Sequence, residues 1–268
     1  MSTEVEPRAA AGAGRASIEA RTLRQDRWWL QPLITFSVLV AFIIYSTFRA
    51  FYGKDFYAPQ HLLSPLYSPC LSSGCGAAPH FSWLPTTSYV FTPAIWVLIF
   101  PLGFRLTCYY YRKAYYRSFW ASPPACAVAE PHKTYSGETR FPLIFQNVHR
   151  WFFYFGVLFV GILGFDAVDS FKNASGQWGH MGLGSLILIV DAVLLGLYTL
   201  GCHSCRHILG GKLRNFSKHP VRYRFWGWVS YLNARHMQMA WVSLVFVAFT
   251  DLYVWLLAAN VFADPRFF

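Results

Sequence analysis

Leu183–Gly211 reads LGSLILIVDAVLLGLYTL followed at once by GCHSCRHILGG. The first part holds a single charged side chain, Asp191, in eighteen residues. An apolar run of that length with so little charge is a candidate membrane helix. The second part puts Cys202, His203, Cys205 and His207 within six residues, at the point where the helix leaves the lipid. The stretch therefore predicts a membrane-spanning fold and raises the question of why soft metal donors collect at its edge.

The rest of the chain shares the first property. Of its 268 residues 55% are hydrophobic, 19% aromatic and only 13% charged, against about a quarter charged in soluble domains. Apolar runs predict five spans: Trp28–Phe48, Ser88–Cys108, Trp151–Val168, Met181–Gly201 and Met237–Val261. Pro93 and Pro101 interrupt the second, which neighbouring membrane helices tolerate. The expected fold is all-α: a polytopic membrane protein with five transmembrane helices in one bundle, residues 25–268. Residues 1–24 have no apolar run and the composition of a disordered tail, with no signal-peptide core or cleavage site behind them.

The formal charge of +11 does not point to nucleic acid, because basic residues collect in loops retained in the cytoplasm. Arg105, Arg112, Lys113, Arg117, Lys133, Arg140 and Arg150 lie in one such segment, and Arg206, Lys212, Arg214, Lys218, Arg222, Arg224 and Arg235 in another. The other side holds little more than Arg49, Lys54, Lys172 and Arg266. The asymmetry predicts a plasma-membrane protein with a cytoplasmic N-terminus and an external C-terminus. The run CYYYRKAYYRSFW after the second span reads as an interfacial helix, tyrosines in the headgroups and cations towards water.

This topology sorts the cysteines. Cys70 and Cys75 fall in an outer loop and are expected to form a local disulfide. Cys108, Cys126, Cys202 and Cys205 fall at the cytoplasmic boundary, with His149, His203, His207 and His236. A buried cysteine is also an ordinary small hydrophobe. Thiolate and imidazole together, however, select iron–sulfur, zinc or copper. On a continuous helix His203 and His207 share one face and Cys202 and Cys205 another, so both pairs cannot serve one small site. Two groupings result: His203 and His207 with Cys108 and Cys126, as first choice, or Cys202 and Cys205 with His149 and His236. A two-Cys, two-His set suits a closed zinc site or a Rieske-type 2Fe–2S centre. Only the second gives a membrane protein an electron-transfer task, with quinone as the acceptor. Haem b between histidines of different helices is the rival cofactor, with His180 and His80 as candidates for a second haem. His149, Arg150, Arg235 and His236 are placed to donate to a quinone carbonyl. Asp191 and Asp251, buried mid-span, are candidates for a proton relay.

The segments FRLTCYYYRKAYYRSFW, SPPACAVAEPH, YSGETRFPLIFQNVHR, GCHSCRHILGG, SKHPVRYRFW and NARHMQMAW resemble the membrane-anchor subunit of actinobacterial succinate dehydrogenase, respiratory complex II. The resemblance runs from about Arg24 to Phe268. It implies a five-helix anchor that receives electrons from a flavoprotein through an iron–sulfur subunit and delivers them to menaquinone or ubiquinone. It further implies a Rieske-type 2Fe–2S centre in the membrane subunit, and leaves open which Cys/His grouping holds it. No motif for binding flavin or succinate is present on the chain itself.

Overall fold

The computed structural model describes residues 24–71, 92–129, 131, 139–141 and 143–267. Its helices are α1 (Leu30–Tyr52), α2 (Pro93–Leu106), α3 (Tyr109–Phe119), α4 (His149–Asp169), α5 (Leu183–Leu200), α6 (His203–Gly210), α7 (Pro220–Ala234) and α8 (His236–Ala258). Among the described residues α1, α4, α5 and α8 are each long and apolar enough to cross a membrane. A fifth candidate is α2 with α3, counted as one bent pair; α2 itself starts at Pro93 and spans only about 21 Å at 1.5 Å per residue. The second span is thus shorter than the apolar run Ser88–Cys108 suggested.

The cause lies at its inner end. The Thr107 hydroxyl donates to the Gly103 carbonyl at 2.7 Å, and Cys108 is extended at φ −63°, ψ 130°. The helix stops, and α3 restarts at 81° to α2. That is the aromatic, basic helix expected at the interface. α6 and α7, in the second basic segment, were not foreseen.

In the bundle α5 packs between α4 and α8, and α2 packs on α4. Gly103 lets α4 approach, since a Cβ there would lie 2.3 Å from the Phe152 ring. Apolar side chains such as Ile44, Leu158, Val193 and Val245 remain exposed, as on any surface solvated by lipid tails rather than water.

The end of the bundle away from the basic loops is closed by a hairpin of Tyr57–Ala58 and Leu62–Leu63, with Tyr57 opposite Leu63. Beneath it Arg49 and Asp251 form a fully buried ion pair. Arg49 Nε donates to Asp251 Oδ2 at 2.7 Å and Nη2 to Oδ1 at 3.2 Å. The Tyr45 and Ser64 hydroxyls donate to the same carboxylate, and the guanidinium lies 4.7 Å over the Trp255 ring. Four donor groups thus meet one buried carboxylate. Cys70 is disulfide-bonded, and its expected partner Cys75 lies outside the described residues.

Candidate metal centre and its cavity

Four helix boundaries meet at the basic end of the bundle. Cys108 precedes α3, His149 opens α4, Cys202 precedes α6 and His236 opens α8. Cys202 Sγ lies 3.0 Å from His149 Nε2, and Cys108 Sγ lies 3.4 Å from His236 Nε2. The two thiols are close enough to interact electrostatically, as are the two imidazoles. Each thiol therefore faces a ring.

Both rings are held by stacking: His149 on Phe104 at 4.9 Å and 3°, His236 on Tyr198 at 4.9 Å and 11°. His149 Nδ1 also meets Thr107 Oγ1 at 2.9 Å. Because that hydroxyl gives its proton to Gly103, it accepts from His149. The network thus assigns the proton to Nδ1 and leaves the Nε2 lone pair aimed at Cys202. A metal-binding histidine is commonly oriented by such a bond on its other nitrogen. His236 Nδ1 is buried with no hydrogen-bond partner among the described residues. Burial pushes the Cys202 thiol up to about 12, opposed by the Ser204 backbone N–H, so the metal-free thiol keeps its proton and offers S–H to His149.

The first-choice grouping is not brought together. His203 and His207 are exposed on α6, 4.8 Å from each other. Cys126 is exposed, and its carbonyl accepts from Arg24 Nη1 at 2.8 Å. The second grouping supplies Cys202, His149 and His236, and the fourth donor is Cys108. Cys205 is buried, with its thiol likewise raised by burial, but among the described residues no hydrogen bond links it to either ring. The physical reason is a chain break that a continuous-helix reading misses. α5 ends at Leu200, Cys202 is extended at φ −66°, ψ 145°, and α6 starts afresh. The new helix points its cysteines inward and its histidines out.

The quinone donors divide in the same way. His149 and His236 turn inward, whereas Arg150 is exposed and Arg235 lies 3.8 Å over the Tyr231 ring. Neighbours in a helix point about 100° apart, so inward histidines send adjacent arginines outward. His180 sits at the other end of the bundle, 3.2 Å from the Asn173 side chain; His80 lies outside the described residues.

Beside the four donors, an apolar cavity of about 300 Å³ runs between α1, α2, α4 and α5. Phe104 and Tyr198, whose rings stack on the two histidines, form part of its wall, and Arg105 is the charged residue among its described lining. Arg105 Nη1 donates to Tyr111 Oη at 2.5 Å and the Ala240 carbonyl at 3.3 Å, and Nη2 to Ser243 Oγ at 3.1 Å. Its guanidinium lies 4.7 Å over Tyr198. A guanidinium carries five N–H groups, so these contacts leave donors over. Asp191 is buried with Oδ1 unpartnered among the described residues and feels the Arg105 charge. It lies one and two helical turns from Leu195 and Tyr198, both cavity residues. The sequence reading counted Arg105 among the loop cations. The available signal was its position inside the apolar run Ser88–Cys108.

Among the described residues no group of three or more Cys, His, Asp or Glu side chains converges as a site for a metal ion. Two thiols and two imidazoles are the donor types of a Rieske-type centre, which takes two Cys on one iron and two His on the other.

No curated protein matches the chain. A subunit of the Mycobacterium smegmatis Sdh1 complex in the apo form shares 51% identity with it, over 95% of this chain and 96% of that one, with a TM-score of 0.87. Residues 30–260 match the family described as actinobacterial succinate dehydrogenase subunit SdhC. With its bundle of apolar helices and nearly full-length match, the chain belongs to that family of membrane subunits of succinate dehydrogenase.

Proposed function

We propose that the chain passes electrons from an iron–sulfur partner subunit, through a Rieske-type 2Fe–2S centre held by Cys108, Cys202, His149 and His236, to a quinone in the adjacent cavity. The observation that carries this reading is the meeting of two thiol–imidazole pairs from four helix boundaries. When bound, such a centre takes and gives one electron at a raised potential. The residues do the rest. Thr107 holds the His149 tautomer, Phe104 and Tyr198 lock the rings and separate them from the cavity, and Arg105 donates to the quinone carbonyl. Asp191 holds a proton near that carbonyl, since quinone reduction consumes two protons with two electrons.

Succinate oxidation belongs to a flavoprotein partner. It and the iron–sulfur subunit dock at the basic end, which the charge asymmetry assigns to the cytoplasmic face of the plasma membrane. Menaquinone and ubiquinone both fit this chemistry. A haem b bridging His149 and His236 would have to displace the thiols that meet their Nε2 atoms, which makes it the weaker reading.

The test compares two double variants of the assembled complex. His149→Ala/His236→Ala should lose the Rieske signal in electron paramagnetic resonance and quinone reduction, while succinate oxidation by a soluble dye persists. His203→Ala/His207→Ala should keep all three. The reverse pattern, or a b-type haem band with no acid-labile sulfide in the parent complex, would remove the proposal.

A further inference from the structure

The exposure of the cavity lining marks where the cavity opens. Its back wall is buried: Phe104, Gly156, Leu163 and Tyr198 are all shielded. Among the described residues its exposed lining comes from two helices only. Phe51 of α1 is 52% exposed, and Ile99 and Leu102 of α2 are 48% and 59% exposed. Thr47 of α1 is exposed beside them. The mouth thus lies between the far half of α1 and the middle of α2, away from the basic loops. Lipid hydrocarbon, not water or a soluble subunit, adjoins that part of the bundle.

The inside of the cavity restricts what can enter. Among the described residues the sole charged lining group is Arg105, whose guanidinium sits against the buried Tyr198, Ala240 and Ser243 and not against the exposed lining. An occupant must therefore carry a hydrogen-bond acceptor at its leading end and apolar matter behind it. A phospholipid acyl chain entering tail first would set a methyl group against the guanidinium and leave its spare N–H groups unmet, at a desolvation cost. A quinone ring entering head first sets a carbonyl there. The volume is at the low end of ligand cavities, about 300–1,000 Å³. It takes a ring and the start of a tail, and the rest of a long isoprenoid chain must lie in the mouth.

We infer that isoprenoid-tailed quinone enters sideways from the bilayer between α1 and α2, ring first, and that Phe51, Ile99 and Leu102 form a tail seat favouring long-tailed over short-tailed quinones. This rests on the reading of the cavity as the quinone site. Kinetically, the tail seat acts on KM, because it binds ground state and transition state alike.

The experiment uses the assembled complex with Ile99→Trp and Leu102→Trp, each assayed with a long-tailed menaquinone and a one-isoprene analogue. KM for the long-tailed quinone should rise several-fold, with KM for the short one at the parent value. Equal changes for both, or none, would overturn the tail seat. Dye-linked succinate oxidation and thermal unfolding report that each variant is folded. A menaquinone bearing a diazirine in its tail should crosslink to peptides containing Thr47–Phe51 and Ile99–Leu102 in the parent complex. Crosslinks confined elsewhere, or a diazirine phospholipid at those peptides that quinone does not displace, would also overturn it. Arg105→Gln keeps the two ideas apart. A rise in KM for both quinones supports the cavity as the quinone site, and no change in either sinks that reading and the tail seat with it.

Discussion

Thr107 Oγ1 accepts a hydrogen bond from His149 Nδ1 at 2.9 Å while its own O–H donates to the Gly103 carbonyl at 2.7 Å. One residue therefore ends α2 and sets the tautomer of a donor on α4. Thr107→Val preserves the shape and removes the acceptor, freeing His149 to protonate Nε2. Loss of such an outer partner costs on the order of 10–100-fold in metal affinity or activity. The expected outcome is a fall of that size in the ratio of quinone to dye reduction, with a weakened iron–sulfur signal per chain. Thr107→Ser should restore both.

The Arg49–Asp251 pair stands at the opposite end and should behave differently. Arg49→Met strands a buried carboxylate, an error costing about 3–5 kcal/mol. The complex should unfold at lower temperature, while the quinone-to-dye ratio of the surviving folded enzyme stays at the parent value. Arg49→Met with Asp251→Leu should recover most of the loss, because replacing both partners removes the unpaired charge. Calorimetry and activity on the same samples check this.

Thiol labelling of the metal-free chain should follow burial. The Cys202 thiol is pushed up to about 12, so at pH 8 only about one molecule in ten thousand carries the reactive thiolate there. A raised value leaves the group protonated until the pH nears it, so labelling climbs with pH. Cys126, exposed, should react with iodoacetamide at pH 8, and Cys202 and Cys205 should react only as pH rises or the chain unfolds. Mass spectrometry of the labelled peptides gives the order.

Arg222 on α7 donates to the Ile208, Leu209 and Gly211 carbonyls, which α6 leaves unpaired at its end. Arg222→Ala should cost about 1–3 kcal/mol and speed hydrogen exchange across α6, leaving α4 and α8 unchanged.

The membrane helices were legible because their signal is local, a run of apolar residues long enough to cross hydrocarbon. α3 was legible for the same reason, through its mixture of tyrosines and cations. The candidate donors were legible in composition, and their grouping was not. Soft donors at one depth are visible in a sequence, but which of them face each other depends on where helices stop. The breaks at Thr107–Cys108 and Gly201–Cys202 each turn a cysteine inward, and neither carries a proline to announce it. Arg105 was hidden for a different reason: basic residues are expected at that boundary, and only packing shows that this one is enclosed.

The provenance of the four donors bears on biosynthesis. They come from four separated parts of the chain, and His236, which opens α8, follows the other three in sequence. A nascent chain halted before α8 would hold three of the proposed donors at most and could not complete the set. Loading of the proposed centre would therefore report that α8 has been threaded into the bilayer.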